Sequence, residues 1–289
     1  MFYSPLRYPG GKGKLAPLME LLIRQTGHYG GVYVEPFAGG AGIALELLEK
    51  GVVNDIVIND LDKGIYSFWR AILTETDRFI NDICTAELTI SEWNKQRAII
   101  EDSSKYSYEL GFATFYLNRT NRSGIIKGGV IGGTEQNGKW RMDARFNKED
   151  LIERILKIAS RKNHIHLYNK DVDSFVKNYL PKYQQNAFVY FDPPYLGKGK
   201  QLYLNFFSYK DHVRIERMIN NLVNCDWVIT YDDVPEIADI YQNHVFKRFD
   251  LNYSAGVKRK ASEIIIFRHY DMVPTTEQLE QNGVYVNLR

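Results

Sequence analysis

Ala187-Phe-Val-Tyr-Phe191 is an unbroken apolar run. A run of that length, bounded by turn residues, reads as a strand buried on both faces. Shorter runs of the same kind occur at Val32-Tyr-Val34 and Ile56-Val-Ile58. Between them, Ile43-Ala-Leu-Glu-Leu-Leu48 reads as a helix, with Gly51 placed as its stop. Strand, glycine turn, helix and strand make a βαβ unit, which crosses over right-handed. The pattern predicts further strands at Ile165–Tyr168, Phe188–Phe191, Trp227–Thr230, Val245–Leu251 and Glu263–Arg268, and helices at Leu15–Arg24, Asp211–Val223 and Pro235–Tyr241.

From about Lys63 the alternation gives way to helical segments, including Ile65–Leu73, Ser91–Ile100 and Tyr106–Leu117. A loop rich in glycine and cations follows from Thr120 to Arg145, and helix returns at Lys148–Ser160. The α/β pattern therefore brackets a mainly helical block. We expect residues 1–62 and 163–289 to form one domain, with 63–162 inserted as a second. A chain of 289 residues is long enough for that division.

Composition narrows the class only slightly. Hydrophobic content of 44% and charged content of 25% are ordinary for a globular protein. No apolar run is long enough to span a bilayer, so a cytoplasmic protein with no membrane partner is expected. Cys84 and Cys225 lie far apart with no CxxC spacing, which argues against a disulfide framework or a zinc site. His164 and His166 lack a third ligand, and no metal is expected. A net charge of +2 permits a polyanionic partner without requiring one.

Candidate chemistry gathers at strand ends, where open α/β sheets bind their ligands. Glu35-Pro-Phe37-Ala38-Gly39-Gly40-Ala-Gly42 is a glycine turn that lets a ligand approach the backbone. It lacks the dinucleotide spacing, and Glu35 would repel a pyrophosphate. A cofactor carrying positive charge and no phosphates, such as S-adenosyl-L-methionine, suits it better; a plain tight turn is the other reading. Asp60, eighteen residues beyond Gly42, either accepts ribose hydroxyls or caps the helix near Lys63. Asp171, followed by Val172, either meets an adenine amino group or caps a helix for which Asp173 is an equal candidate.

Asp192-Pro193-Pro194-Tyr195 closes the long apolar strand. The prolines stiffen the backbone and fix the carbonyl directions. An exocyclic amine on adenine is a poor nucleophile because its lone pair is delocalised into the ring. Two acceptors, Asp192 Oδ and the Pro193 carbonyl, would draw it toward a tetrahedral geometry, while Tyr195 would stack on the ring of an extruded base. In the helical block, Asn118, Arg119, Arg122, Lys127, Lys139 and Arg141 lie among glycines and aromatics, a composition suited to a nucleic-acid backbone. Lys198-Gly-Lys200 and Lys258-Arg-Lys260 are further candidate phosphate contacts.

Together these motifs resemble a DNA adenine-N6 methyltransferase of the Dam-like (D12, alpha-group) class over nearly the whole chain. Pro5-Leu-Arg-Tyr8-Pro-Gly-Gly-Lys12 resembles that family's N-terminal cofactor loop, which implies cofactor roles for Tyr8 and Lys12. Leu117-Asn-Arg-Thr-Asn-Arg-Ser-Gly124 resembles the start of its DNA-contacting region; Ile229-Thr-Tyr-Asp-Asp233 and Ser262-Glu-Ile-Ile265 resemble its later strands. The resemblance implies a Rossmann-like S-adenosylmethionine-dependent methyltransferase sheet with an inserted, mainly helical DNA-recognition domain. It implies double-stranded DNA as the partner, action as a monomer, and a restriction-modification setting with a separately encoded endonuclease. Asn121-Arg122-Ser123-Gly124 replaces the family's usual aromatic-Asn-Gly step, so no target sequence is read from it. N4-cytosine methylation and a catalytically silent DNA-binding protein are the rival readings.

Overall fold

The computed structural model describes residues 3–7, 12–196, 207–253, 259–286 and 288–289, with backbone alone for 251–253 and 259–261. Seven strands form one sheet: β1 (Val32–Glu35), β2 (Asp55–Asn59), β3 (Ile165–Tyr168), β4 (Ala187–Phe191), β5 (Asp226–Asp232), β6 (Val245–Tyr253) and β7 (Arg259–Phe267). Their order across the sheet is β3-β2-β1-β4-β5-β7-β6. The first five run parallel, and β7 lies antiparallel between β5 and β6. Strand order reverses between β1 and β4, so the crevice beyond their C-terminal ends is the position where such sheets bind ligands.

The continuous apolar strands are explained by burial on both faces. Tyr33, Ile56, Ile58, Phe188 and Tyr190 enter one core cluster; Val34, Val57, Val189 and Phe191 enter the other. The first face is covered by α1 (Ala16–Gln25), α2 (Gly42–Glu49), α3 (Lys63–Thr74), α4 (Thr76–Thr85), α6 (Tyr108–Thr120) and α7 (Lys148–Ser160), with Trp93 of α5 (Ile90–Asp102) joining them. The second is covered by α8 (Val172–Asn178), α9 (Tyr209–Leu222) and α10 (Pro235–Ile240). A final helix, α11 (Thr276–Gln281), lies beyond the pattern read from sequence, as does α4.

The helical block shares its core with the sheet. Phe68, Trp69, Phe79 and Phe115 belong to the same buried cluster as Leu45 of α2 and Ile56 of β2. Helix α3 approaches α6 closely, because Gly111 lets the Ser67 carbonyl come within 2.5 Å of where a Cβ would stand. No helix among the described residues is long and apolar enough to cross a membrane.

Candidate active site

Asn59, at the end of β2, is almost fully buried and ties three strand-end loops together. Its Nδ2 donates to the carbonyls of Pro36 and Lys170, both at 3.0 Å, and its Oδ1 accepts from the Lys170 N–H at 3.0 Å. The glycine turn after β1 is thereby fixed against β2 and β3. Asp60 then reaches into it: Oδ2 accepts from the Gly39 N–H at 2.8 Å, and Oδ1 accepts from the Asp62 N–H at 2.9 Å. On the other side, Trp69 Nε1 donates to the Gly39 carbonyl at 2.9 Å. Ala41 adopts a left-handed backbone, φ 46°, as the turn hands over to α2 at Gly42. Such strain in a non-glycine residue persists only where surroundings dictate it.

Asp60 is not the cap of α3; Asp62 is, accepting from Gly64 and Ile65. Asp171, by contrast, does cap α8, its Oδ1 accepting from Ser174 at 3.0 Å. Asp173 instead pairs with Arg214. Val172 turns its side chain into the core. Phe37 is half-buried with its ring edge-on to Phe207, while Ala38, Gly39 and Gly40 are buried. Tyr8, Lys198, Lys200 and Lys258 lie outside the described residues.

Burial sets the electrostatics of this turn. Burial raises the Glu35 carboxyl to about 8, although the Ala44 N–H donates to it at 3.3 Å. Burial, with help from the neighbouring Asp62 charge, raises Asp60 to about 7. Both acids are therefore held toward their neutral forms.

Asp192 stands at the end of β4, beside the β1 turn, with its carboxylate 24% exposed. Thr230 of β5 donates to Asp192 Oδ1 at 2.9 Å, and Tyr190 and Thr230 share a hydrogen bond at 2.7 Å. Lys12 sits behind, with Nζ 3.8 Å from Asp192 and 3.0 Å from Glu263 Oε2. Lys12 also donates to the Tyr195 hydroxyl. That hydroxyl lies 2.9 Å from Glu263 Oε2 and 3.3 Å from Asp192 Oδ1. Burial raises the Asp192 carboxyl, and the Lys12 charge opposes the rise.

Several sequence expectations change here. Tyr195 is 4% exposed; its ring packs beside Tyr231 and under the Lys12 ammonium rather than facing the crevice. Lys12, expected from the resemblance as a cofactor contact, sits against Asp192 and Tyr195. Glu263, Thr230 and Tyr190 were given no site role by the sequence, although Thr230 and Glu263 lie in the stretches Ile229–Asp233 and Ser262–Ile265 that resemble the family's later strands.

The expected DNA-contacting residues divide. Asn118 is buried: its Oδ1 accepts from the Arg7 N–H at 2.7 Å, and its Nδ2 donates to the carbonyls of Arg7 at 2.7 Å and Gly124 at 2.9 Å. Arg119 is also buried, with Nε donating to the Arg145 carbonyl at 2.6 Å. Burial lowers its pKa to about 9. Neither is placed to meet a polymer, because α6 ends inside the fold and both side chains satisfy loop carbonyls. Arg122, Lys127, Lys139 and Arg141 are exposed, next to a Trp140 that is 66% exposed. The loop carrying Arg122 folds back on α6 through an Asn121–Val130 bridge. His164 and His166 each face Asp55, at 3.6 and 3.1 Å.

A doubly wound sheet with an acid-lined glycine turn and an Asp-Pro-Pro-Tyr strand end facing each other across the switch point defines a Rossmann-like methyltransferase. Residues 8–255 match the model of the D12 class N6 adenine-specific DNA methyltransferases, and the chain belongs to that family. It is 23% identical over 291 residues to the type II methyltransferase M1.LlaDCHI of Lactococcus lactis subsp. cremoris, covering 90% of this chain and 93% of that relative. It is 24% identical over 213 residues to the type II methyltransferase M.MjaIII of Methanocaldococcus jannaschii, covering 68% and 70% respectively. Among solved structures, the rRNA methyltransferase aviRa from Streptomyces viridochromogenes aligns at a TM-score of 0.36 and 13% identity, covering 92% of this chain and 88% of that one.

Proposed function

We propose that the protein transfers a methyl group from S-adenosyl-L-methionine to N6 of an adenine flipped out of double-stranded DNA. The observation that carries this reading is the position of Asp192 at the end of β4, directly across the switch point from the Glu35 turn. The acids fit the cofactor: Glu35 and Asp60 are protonation-prone carboxyls that a sulfonium and a ribose would draw into their ionised forms. S-adenosylmethionine supplies an activated methyl, whose carbon–sulfur bond breaks as the N6–carbon bond forms.

The residues supply geometry and a proton acceptor. Asp192 accepts one N6 hydrogen and the Pro193 carbonyl the other, which exposes the nitrogen lone pair in line with the methyl. The proton lost from N6 passes to Asp192, whose raised pKa suits it to receive it. Pro194 limits backbone motion at this step. Glu35 and the turn through Phe37, Ala38, Gly39, Gly40 and Gly42 hold the donor; Asp60 takes its ribose, and Asp171 keeps one carboxylate oxygen for its adenine. Arg122, Lys127, Lys139 and Arg141 meet the DNA backbone. The type II relatives support a partnership with a restriction endonuclease reading the same site.

Transfer of labelled methyl from S-adenosylmethionine to unmethylated duplex DNA, followed by identification of the modified base, tests the reading. N6-methyladenine is the expected product. N4-methylcytosine would move the assignment to the other amino-directed chemistry, and DNA binding without incorporated label would overturn catalysis. Asp192→Ala is expected to abolish transfer while leaving DNA affinity within a few-fold of the parent. Near-normal turnover would remove Asp192 from its role.

A further inference from the structure

Glu263 is completely buried on β7, in register with Asp232 of β5 and Phe249 of β6. A carboxylate placed there loses its hydration and needs strong compensation. The compensation comes from the site: the Lys12 ammonium at 3.0 Å and the Tyr195 hydroxyl at 2.9 Å. Lys12 is 3.8 Å from Asp192, beyond hydrogen-bond range, and the Tyr195 hydroxyl is farther from Asp192, at 3.3 Å, than from Glu263. The hydroxyl has one proton to donate, and the shorter contact places it on Glu263. Glu263 thus occupies two donors that would otherwise turn to Asp192.

We propose that Glu263 is a positioning residue for methyl transfer, drawing the Lys12 ammonium and the Tyr195 proton to itself so that the Asp192 carboxylate remains an acceptor for the target amine. The inference rests on the reading of Asp192 given above. Without the Glu263 charge, Lys12 closes on Asp192 as its nearest remaining carboxylate partner in this group. An aspartate in a full ion pair is a weaker acceptor toward N6. The effect belongs to the chemical step, because Glu263 is too deep to touch cofactor or DNA.

The experiment is steady-state kinetics with the full chain, labelled S-adenosylmethionine and duplex DNA containing methylatable adenine. Glu263→Gln is expected to lower kcat by ~10-fold or more, with the KM for DNA and the cofactor dissociation constant within about two-fold of the parent. Glu263→Asp keeps the charge and is expected to retain more activity than Glu263→Gln. Tyr195→Phe combined with Glu263→Gln is expected to cost little more than the larger single loss, since both act through one chain of hydrogen bonds. If Glu263→Gln does not fold, Glu263→Asp takes its place in that cycle. An active parent with unchanged kcat in Glu263→Gln, losses confined to KM, or strictly additive losses would overturn the positioning role alone. A parent that methylates no DNA would overturn the functional reading, and this inference with it.

Discussion

Glu35 and Asp60 hold their protons to unusually high pH for carboxyl groups, about 8 and about 7, because the folded chain removes both from water. In an unfolded chain they ionise near their ordinary values of 4.5 and 3.8. Between those limits the folded state binds more protons than the unfolded one, so their effect is to reduce stability as pH rises. His212 works in the opposite sense: burial lowers it from 6.5 to about 4, which favours folding as pH rises to about 6.5. Above about pH 6.5 the His212 contribution is complete, while Glu35 and Asp60 are still losing protons up to about 8 and about 7. The melting temperature of the ligand-free protein is expected to fall across that range, and Glu35→Gln is expected to flatten the slope. Adding S-adenosylmethionine should stabilise more at the upper end, where both acids ionise readily. An unchanged slope in Glu35→Gln would show that this carboxyl is not held neutral.

Helix α6 illustrates what periodicity reveals about an element and what it leaves out. Its existence was legible, because apolar residues recur through Tyr106–Leu117. The fate of its last turn was not. Asn118, Arg119 and Asn121 look like a surface run, yet all three are buried, since the chain before and after the helix folds over them. The N-terminal segment is strapped there: Asn118 holds Arg7, Arg119 Nη1 donates to the Pro5 carbonyl at 3.4 Å, and Arg154 of α7 donates to the Ser4 carbonyl at 3.0 Å. Gly124 closes the strap with φ 76°, and a Cβ there would strike the Arg7 carbonyl. Asn118→Leu would leave buried loop groups unpaired, at ~1–3 kcal/mol for each. Chemical denaturation is expected to show that loss, and Gly124→Ala to be destabilised as well through strain and collision. Unchanged unfolding midpoints in both variants would mean that the strap is not a stability element. The role of Glu263 escaped the sequence reading for a related reason. One acid before three isoleucines resembles the exposed start of a strand, and only the antiparallel insertion of β7 beside β5 brings it under Lys12 and Tyr195.

Across the whole molecule, carboxyl groups gather at the crevice at the sheet's switch point, and four exposed cations, Arg122, Lys127, Lys139 and Arg141, mark the loops after α6. A duplex would be attracted by the loops and offered a base at the crevice. Each phosphate neutralised by a cation contributes ~0.9 to the slope of log affinity against log salt. Replacing Arg122 and Lys127 together by alanine is therefore expected to weaken binding to any duplex and to lower that slope by about 2. Arg119→Met, which removes one charge from the interior, is expected to leave the slope unchanged while costing stability. Titrations of fluorescent duplex DNA at several salt concentrations distinguish the two. If the double variant keeps the parent's slope, the exposed loop cations do not touch the backbone; if Arg119→Met lowers it, the buried arginine must reach DNA through a rearranged α6. The steepness of salt dependence, rather than affinity at one ionic strength, therefore locates the DNA-binding face.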